Sequence, residues 1–126
     1  MKFVIQRVKN AKVVIAEKEH ASIEEGLLVL VGIDQRDTKG DVEWLCKKLV
    51  QLRIFSDEKG LLNRSVTDVQ ASILLVSQFS LIASYKKGNR PSFIQAARPE
   101  LAKALYEYCI AYCEGMLPNK IGRAHV

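Results

Sequence analysis

Gly26-Leu27-Leu28-Val29-Leu30-Val31-Gly32-Ile33 is apolar without alternation and is bracketed by glycines. A strand with one wet face would alternate, so this run predicts a strand buried on both faces at the centre of a sheet. Upstream, residues 3–8 and 11–16 alternate or cluster β-branched side chains, with Glu17-Lys18-Glu19-His20 as a hairpin connection, so the chain opens with antiparallel strands. Downstream of Asp37-Thr38 the period changes. Val42, Leu45, Leu49 and Leu52 recur at helical spacing behind capping residues, which predicts an amphipathic helix over 38–52. Arg53-Ile54-Phe55 predicts a short strand, ended by the turn-rich segment 56–60. Ser72-Ile73-Leu74-Leu75-Val76-Ser77-Gln78-Phe79 predicts a second buried strand whose carboxyl end turns polar. Gly88 and Pro91 mark residues 84–93 as a loop. A second helix starts at Pro99, shares Leu101, Leu105, Tyr108, Cys109 and Tyr112 on one face, and ends near Gly115. Two helices and at least five strands, with hairpins before the first helix, give an α+β fold in a single domain, without internal repeat or linker.

The length of 126 residues allows one domain and one core, and 48% hydrophobic with 26% charged residues is the composition of an ordinary soluble protein. The apolar runs are too short to span a bilayer, so no membrane association is expected. Three cysteines, Cys46, Cys109 and Cys113, and an amino terminus that reaches charge within two residues predict a reduced, cytoplasmic protein. The net charge of +5 is uneven: residues 1–63 hold 11 basic and 10 acidic groups, residues 64–126 hold 8 and 4. The excess in the second half favours an anionic partner there.

Several chemistries lose support at once. Cys109 and Cys113 are four apart on a predicted helix but lack the further Cys or His that a metal site uses, so they read as packing residues, as does Cys46; no metal is expected. His20 and His125, the only histidines, fall in a hairpin connection and at the next-to-last position, which disfavours a conventional Ser-His-Asp triad. No phosphate loop or dinucleotide fingerprint is present, and no cofactor is implied. What remains is Ser77-Gln78-Phe79-Ser80 and the loop behind it. Two hydroxyls, an amide and adjacent backbone N–H groups at a strand end can polarise an ester carbonyl, or simply satisfy a turn. Lys86, Lys87 and Arg90, with Tyr85 and Phe93 as stacking surfaces, suit a phosphate backbone and an exposed base, or a solvated loop.

Gln6-Arg7-Val8, residues 26–32, Arg53-Ile54-Phe55, Asn63 with Ser65-Val66, Ser77-Gln78-Phe79-Ser80-Leu81 and Lys87-Gly88-Asn89-Arg90-Pro91-Ser92-Phe93 together identify a resemblance. From Lys2 to about Pro118 the chain resembles the D-aminoacyl-tRNA deacylases, and the last two segments are specific. The resemblance implies a homodimeric, barrel-like domain of mainly antiparallel strands that removes D-amino acids, and in some members glycine, from aminoacyl-tRNA. It places Ser77, Gln78, Phe79 and Ser80 in the catalytic pocket, Ser80 standing where the family usually has threonine. It implies that Phe93 helps to hold the terminal adenosine, that Arg7 braces the site, and that the RNA 2′-hydroxyl assists the reaction. An aminoacyl ester is already activated, so such a site needs orientation and carbonyl polarisation rather than a histidine triad. Lys86, Lys87 and Arg90 are expected near tRNA phosphates from charge and position alone.

The family also carries a Gly-Pro pair near its carboxyl terminus that enters the opposite subunit and excludes L-amino acids. None of the seven glycines here precedes a proline. The segment Ile121 to Val126 falls where a member begins its last strand, so this chain is expected to lack that strand and the gate. A second class, a non-catalytic tRNA- or protein-binding relative, stays open on this departure.

Overall fold

The computed structural model describes residues 1–84 and 86–125. In chain order the elements are β1 (Lys2–Val8), β2 (Ala11–Ile15), β3 (Lys18–Ile23), β4 (Gly26–Gly32), α1 (Lys39–Gln51), β5 (Phe55–Ser56), β6 (Leu62–Arg64), β7 (Ser72–Ser77), a 3-10 turn (Phe79–Leu81), α2 (Pro99–Met116) and β8 (Ile121–His125). The main sheet runs β1-β4-β7-β8, with β2-β3 and β5-β6 as separate two-stranded ladders. β1 meets β4 antiparallel, whereas β4–β7 and β7–β8 are parallel. The α+β class is as expected; the sheet does not close into a barrel.

β4 lies inside the sheet because both of its faces are covered. Leu27, Val29 and Val31, with Ile73 and Leu75 of β7, pack against the buried faces of the two helices. Leu28 and Leu30, with Leu74 and Val76, face the side covered by the β2–β3 hairpin, where Val13 and Ala21 join them. Withdrawing each large side chain of this kind from water contributes roughly 1.5–3 kcal/mol, so the unalternated run becomes the spine of the fold. Gly26 is obligatory at its start, since a Cβ there would fall 1.8 Å from the Ser72 carbonyl oxygen in the neighbouring strand.

Thr38 caps α1, its backbone N–H donating to the Asp41 carboxylate at 2.8 Å. The helix buries Val42, Cys46, Leu49 and Val50, leaving Leu45 and Leu52 half-buried at the stripe's edge. α2 begins at Pro99 and buries Leu105, Tyr106, Cys109, Ile110 and Cys113, with Leu101, Tyr108 and Tyr112 packed around them. Tyr106 ties three elements together: its hydroxyl donates to the Leu75 carbonyl at 2.6 Å and accepts from the Ala124 N–H at 3.0 Å.

Three local expectations are corrected. The hairpin connection is only Ala16-Glu17, both with positive φ, and Lys18 to His20 belong to β3, since a two-residue turn lets Lys18 pair with Ile15. The short strand begins at Phe55 rather than Arg53 and pairs with β6. The second buried strand ends at Ser77, because Gln78 and Phe79 turn out of the sheet.

Candidate active site

Parallel pairing brings the carboxyl ends of β4 and β7 side by side, with Val31 opposite Ser77. The Gln78 N–H donates to the Val31 carbonyl at 2.8 Å, the last tie before the chain leaves the sheet into the 3-10 turn. Divergence at the carboxyl ends of parallel strands opens a crevice. Here it is a cleft of about 50 Å³ between Ile33, Ser77, Gln78, Phe79, Ala97 and His125. Ser77 Oγ lies 2.8 Å from His125 Nδ1, and the His125 ring centroid is 5.2 Å from that of Tyr106.

The turn carrying Phe79 and Ser80 sits directly on β4. Gly32 makes this possible, because its absent Cβ would lie 2.7 Å from Leu81 Cβ. Lys2 Nζ donates to the Leu81 carbonyl at 3.3 Å and holds the far end of the turn. Phe79 remains 60% exposed and Phe93 39%, although their rings meet edge to face at 5.3 Å and 65°. Exposed aromatic faces at a polar strand end offer stacking surface to a planar ligand.

Ser84 and Ser92 exchange backbone hydrogen bonds of 2.8 and 2.9 Å, closing the basic segment between them into a projecting loop. The returning chain is tied beside β4 by Gln35 N–H to the Gln95 carbonyl and Ala97 N–H to the Ile33 carbonyl, both 2.9 Å. The surface groove beneath the loop has a volume of about 530 Å³ and is bordered by Arg36, Lys86, Lys87 and Arg90. Arg36 is engaged: Nε and Nη2 donate to the Asp34 carboxylate at 3.0 and 3.1 Å. Those bonds hold the Asp34 carboxyl down at about 2. Lys86, Lys87 and Arg90 are exposed and enter no ion pair among the described residues.

Of the residues read from sequence, Ser77 ends β7, Gln78 leads into the 3-10 turn that holds Phe79 and Ser80, Phe93 packs on Phe79, and Lys86, Lys87 and Arg90 border the adjoining groove. Arg7 lies apart from these residues within the single chain. It pairs with Leu27 whereas Lys2 pairs with Gly32, which puts it about 16 Å down the sheet at the usual strand rise, bonded to the Ile54 carbonyl at 2.9 Å. Within this chain it braces the segment before β5 and not the turn. Tyr85, expected as a stacking surface, lies outside the described residues. His125, whose next-to-last position does not promise a fixed side chain, is held on β8 against Ser77. The thiols are buried, as packing residues would be, and Cys46 of α1 joins Cys109 and Cys113 with all three sulfurs within 4.8 Å.

The chain that carries this turn, aromatic pair and groove has known relatives. The family described as D-Tyr-tRNA(Tyr) deacylase matches residues 4–124. The chain belongs to the D-Tyr-tRNA(Tyr) deacylase family. Within it, a D-aminoacyl-tRNA deacylase of Cytophaga hutchinsonii is 62% identical over 118 residues, covering 94% of this chain and 79% of that protein. A D-aminoacyl-tRNA deacylase of Bacteroides thetaiotaomicron is 52% identical over 122 residues, 97% of this chain and 81% of that one. Among solved structures, the c-Myc DNA unwinding element binding protein superposes with a TM-score of 0.93 at 36% identity, covering 100% of this chain and 85% of that chain. A probable eukaryotic D-amino acid tRNA deacylase shares the fold at a TM-score of 0.74 and 21% identity, over 90% of this chain and 66% of that one. The deacylase family thus extends over nearly every element described, including the turn and the basic loop.

Proposed function

We propose that this chain hydrolyses the ester bond of D-aminoacyl-tRNA and releases the free D-amino acid and tRNA, a proofreading step in translation; glycyl-tRNA is a second substrate to be tried. The observation that carries this reading is the continuity of the Ser77–Ser80 turn, the Phe79–Phe93 pair and the basic groove on a chain of this family. In the reaction, water adds to the ester carbonyl carbon, the bond to the ribose oxygen breaks, and that oxygen takes up a proton. The side chains of Ser77, Gln78 and Ser80 are hydrogen-bonding groups of the kind that orient an ester and share the charge developing on its carbonyl oxygen. Ser80 supplies the hydroxyl of the family's threonine without its methyl group. Phe79 and Phe93 offer faces to the terminal adenine, and Lys86, Lys87 and Arg90 offer charge to the acceptor-end phosphates.

We infer in addition that a second copy of the chain covers part of the neighbouring surface as a homodimer, supported by the large exposed apolar side chain of Ile94. Sedimentation at two concentrations reads this directly. A reducing, cytoplasmic setting suits three buried free thiols, and among the described residues no helix is long and apolar enough to cross a membrane.

Single-turnover hydrolysis of D-tyrosyl-tRNA with enzyme in excess, with L-tyrosyl-tRNA alongside, tests the activity. The expected result is enzyme-dependent loss of the D-ester, reduced at least tenfold by Gln78→Ala. Binding of tRNA without loss of the ester would instead make the chain a non-catalytic relative. Replacing Lys86, Lys87 and Arg90 together by glutamine should reduce the slope of log affinity against log salt by about 2–3, the contribution of roughly three phosphate contacts.

A further inference from the structure

Cys46 projects from α1, and Cys109 and Cys113 project one turn apart from α2, where positions i and i+4 share a face. Each of the three is completely buried. The Cys46 and Cys109 sulfurs are 3.4 Å apart, and all three sulfurs fit within 4.8 Å. Both helices are held against the sheet by the same core, so the three sulfurs converge on rigid elements rather than on a loop. No further histidine or carboxylate joins them among the described residues.

We propose that Cys46, Cys109 and Cys113 form a trigonal three-sulfur site for a trivalent thiophilic metalloid, with arsenous acid, As(OH)3, as the representative ligand. The selection rests on charge. No Lys, Arg, His, Asp or Glu side chain is among the buried residues described, and the buried hydroxyls are those of Ser65, Ser77 and Tyr106. A net charge in such surroundings is costly. Three thiolates around a monovalent soft ion leave a charge of two minus, and around a divalent ion one minus. A divalent zinc ion also wants a fourth ligand that the cluster does not offer. Only a trivalent centre gives a neutral product.

The exchange balances without any redox step. Three As–O bonds break and three As–S bonds form; each thiol proton leaves with a hydroxide as water, and arsenic stays trivalent. Because the cluster is closed to solvent, entry waits on a local opening of α1 from α2, and the association rate should saturate with arsenite concentration.

The test uses the full chain and arsenite alone. Expected are an ultraviolet sulfur-to-arsenic absorption, a mass gain of one arsenic less three hydrogens, three thiols unreactive after denaturation, and a raised melting temperature. Cys46→Ala and Cys113→Ala should each weaken binding about 100-fold or more, the scale of losing an intramolecular third attachment. Three thiols still titratable after equilibration with millimolar arsenite would overturn the proposal. So would wild-type affinity in either variant, which would mean a two-sulfur adduct. Mass and thiol counts on the unsubstituted protein decide the matter even where a variant does not fold.

Discussion

Gly32→Ala asks whether catalysis depends on the close seating of the 3-10 turn on β4. The added Cβ would lie 2.7 Å from Leu81 Cβ, 3.3 Å from Ile82 Cδ1 and 3.4 Å from the Gln78 carbonyl oxygen. The Ile82 methyl can swing aside, but Leu81 Cβ moves only with its backbone. Reaching an ordinary carbon contact of about 3.5 Å requires the turn to retreat by roughly 0.8 Å. Phe79 and Ser80 ride on the same turn and retreat with it. A misplacement near 1 Å costs on the order of 100-fold in rate, and overpacking of this size costs about 1–3 kcal/mol in stability. At the usual unfolding entropy per residue that is a fall in Tm of about 4–11 °C for a chain of 126 residues. Single-turnover hydrolysis of D-tyrosyl-tRNA, well below the melting range of the variant, separates the two effects. A rate within twofold of the parent in a fully folded Gly32→Ala protein would refute the dependence of the site on this contact.

Tyr106→Phe strands two buried backbone groups, the Leu75 carbonyl and the Ala124 N–H, and should cost about 2–4 kcal/mol in urea denaturation with faster hydrogen exchange at Ala124. A loss under about 1 kcal/mol with unchanged exchange would contradict the role assigned to the hydroxyl. Asp34, held down at about 2 by its bonds to Arg36, contributes its stabilisation fully above the ordinary value of 3.8 and loses it as pH falls through 2. Asp34→Asn should therefore flatten the acid limb of the stability curve below pH 4 by no more than about 1 kcal/mol, since Arg36 is largely exposed. Gly115 sits in the last turn of α2 with open space around it, so Gly115→Ala should raise stability by about 0.5–1 kcal/mol, read as an increase in Tm without change in turnover.

The elements that could be read from the chain are those whose signal is local. The unalternated run at residues 26–32 announces burial on two faces, and Pro99 announces the start of α2, because each reflects a preference of a few adjacent residues. β3 escaped notice because Lys18, Glu19 and His20 are exposed on a hairpin, where pairing and not burial fixes the strand. The candidate site could be proposed from sequence where its residues are contiguous, at 77–80. It could not be where it depends on distant pairings: Ser77 meets His125 across 48 residues and Cys46 meets Cys109 across 63. Arg7 is placed by strand register at the other end of the sheet from the turn within one chain, which no motif match could foretell. No short-range signal exists for such juxtapositions; the order of strands creates them.

That strand order also sets a timetable for the molecule's assembly. β7 joins β4 at a sequence separation of 46 between the paired residues Gly26 and Ser72, and its other edge is covered by β8 at a separation of 48, Ile73 with Ile121. Neither ladder can close as a hairpin, so the slow step of folding should be the docking of these two long-range parallel pairs. During synthesis, Ile73-Leu74-Leu75-Val76 emerges from the ribosome with one edge and much of its apolar surface bare until residues 121–125 follow. At a usual elongation rate of about 5–20 residues per second this exposure lasts several seconds. The strand that ends in the candidate site is thus a segment of the nascent chain that a holdase would protect.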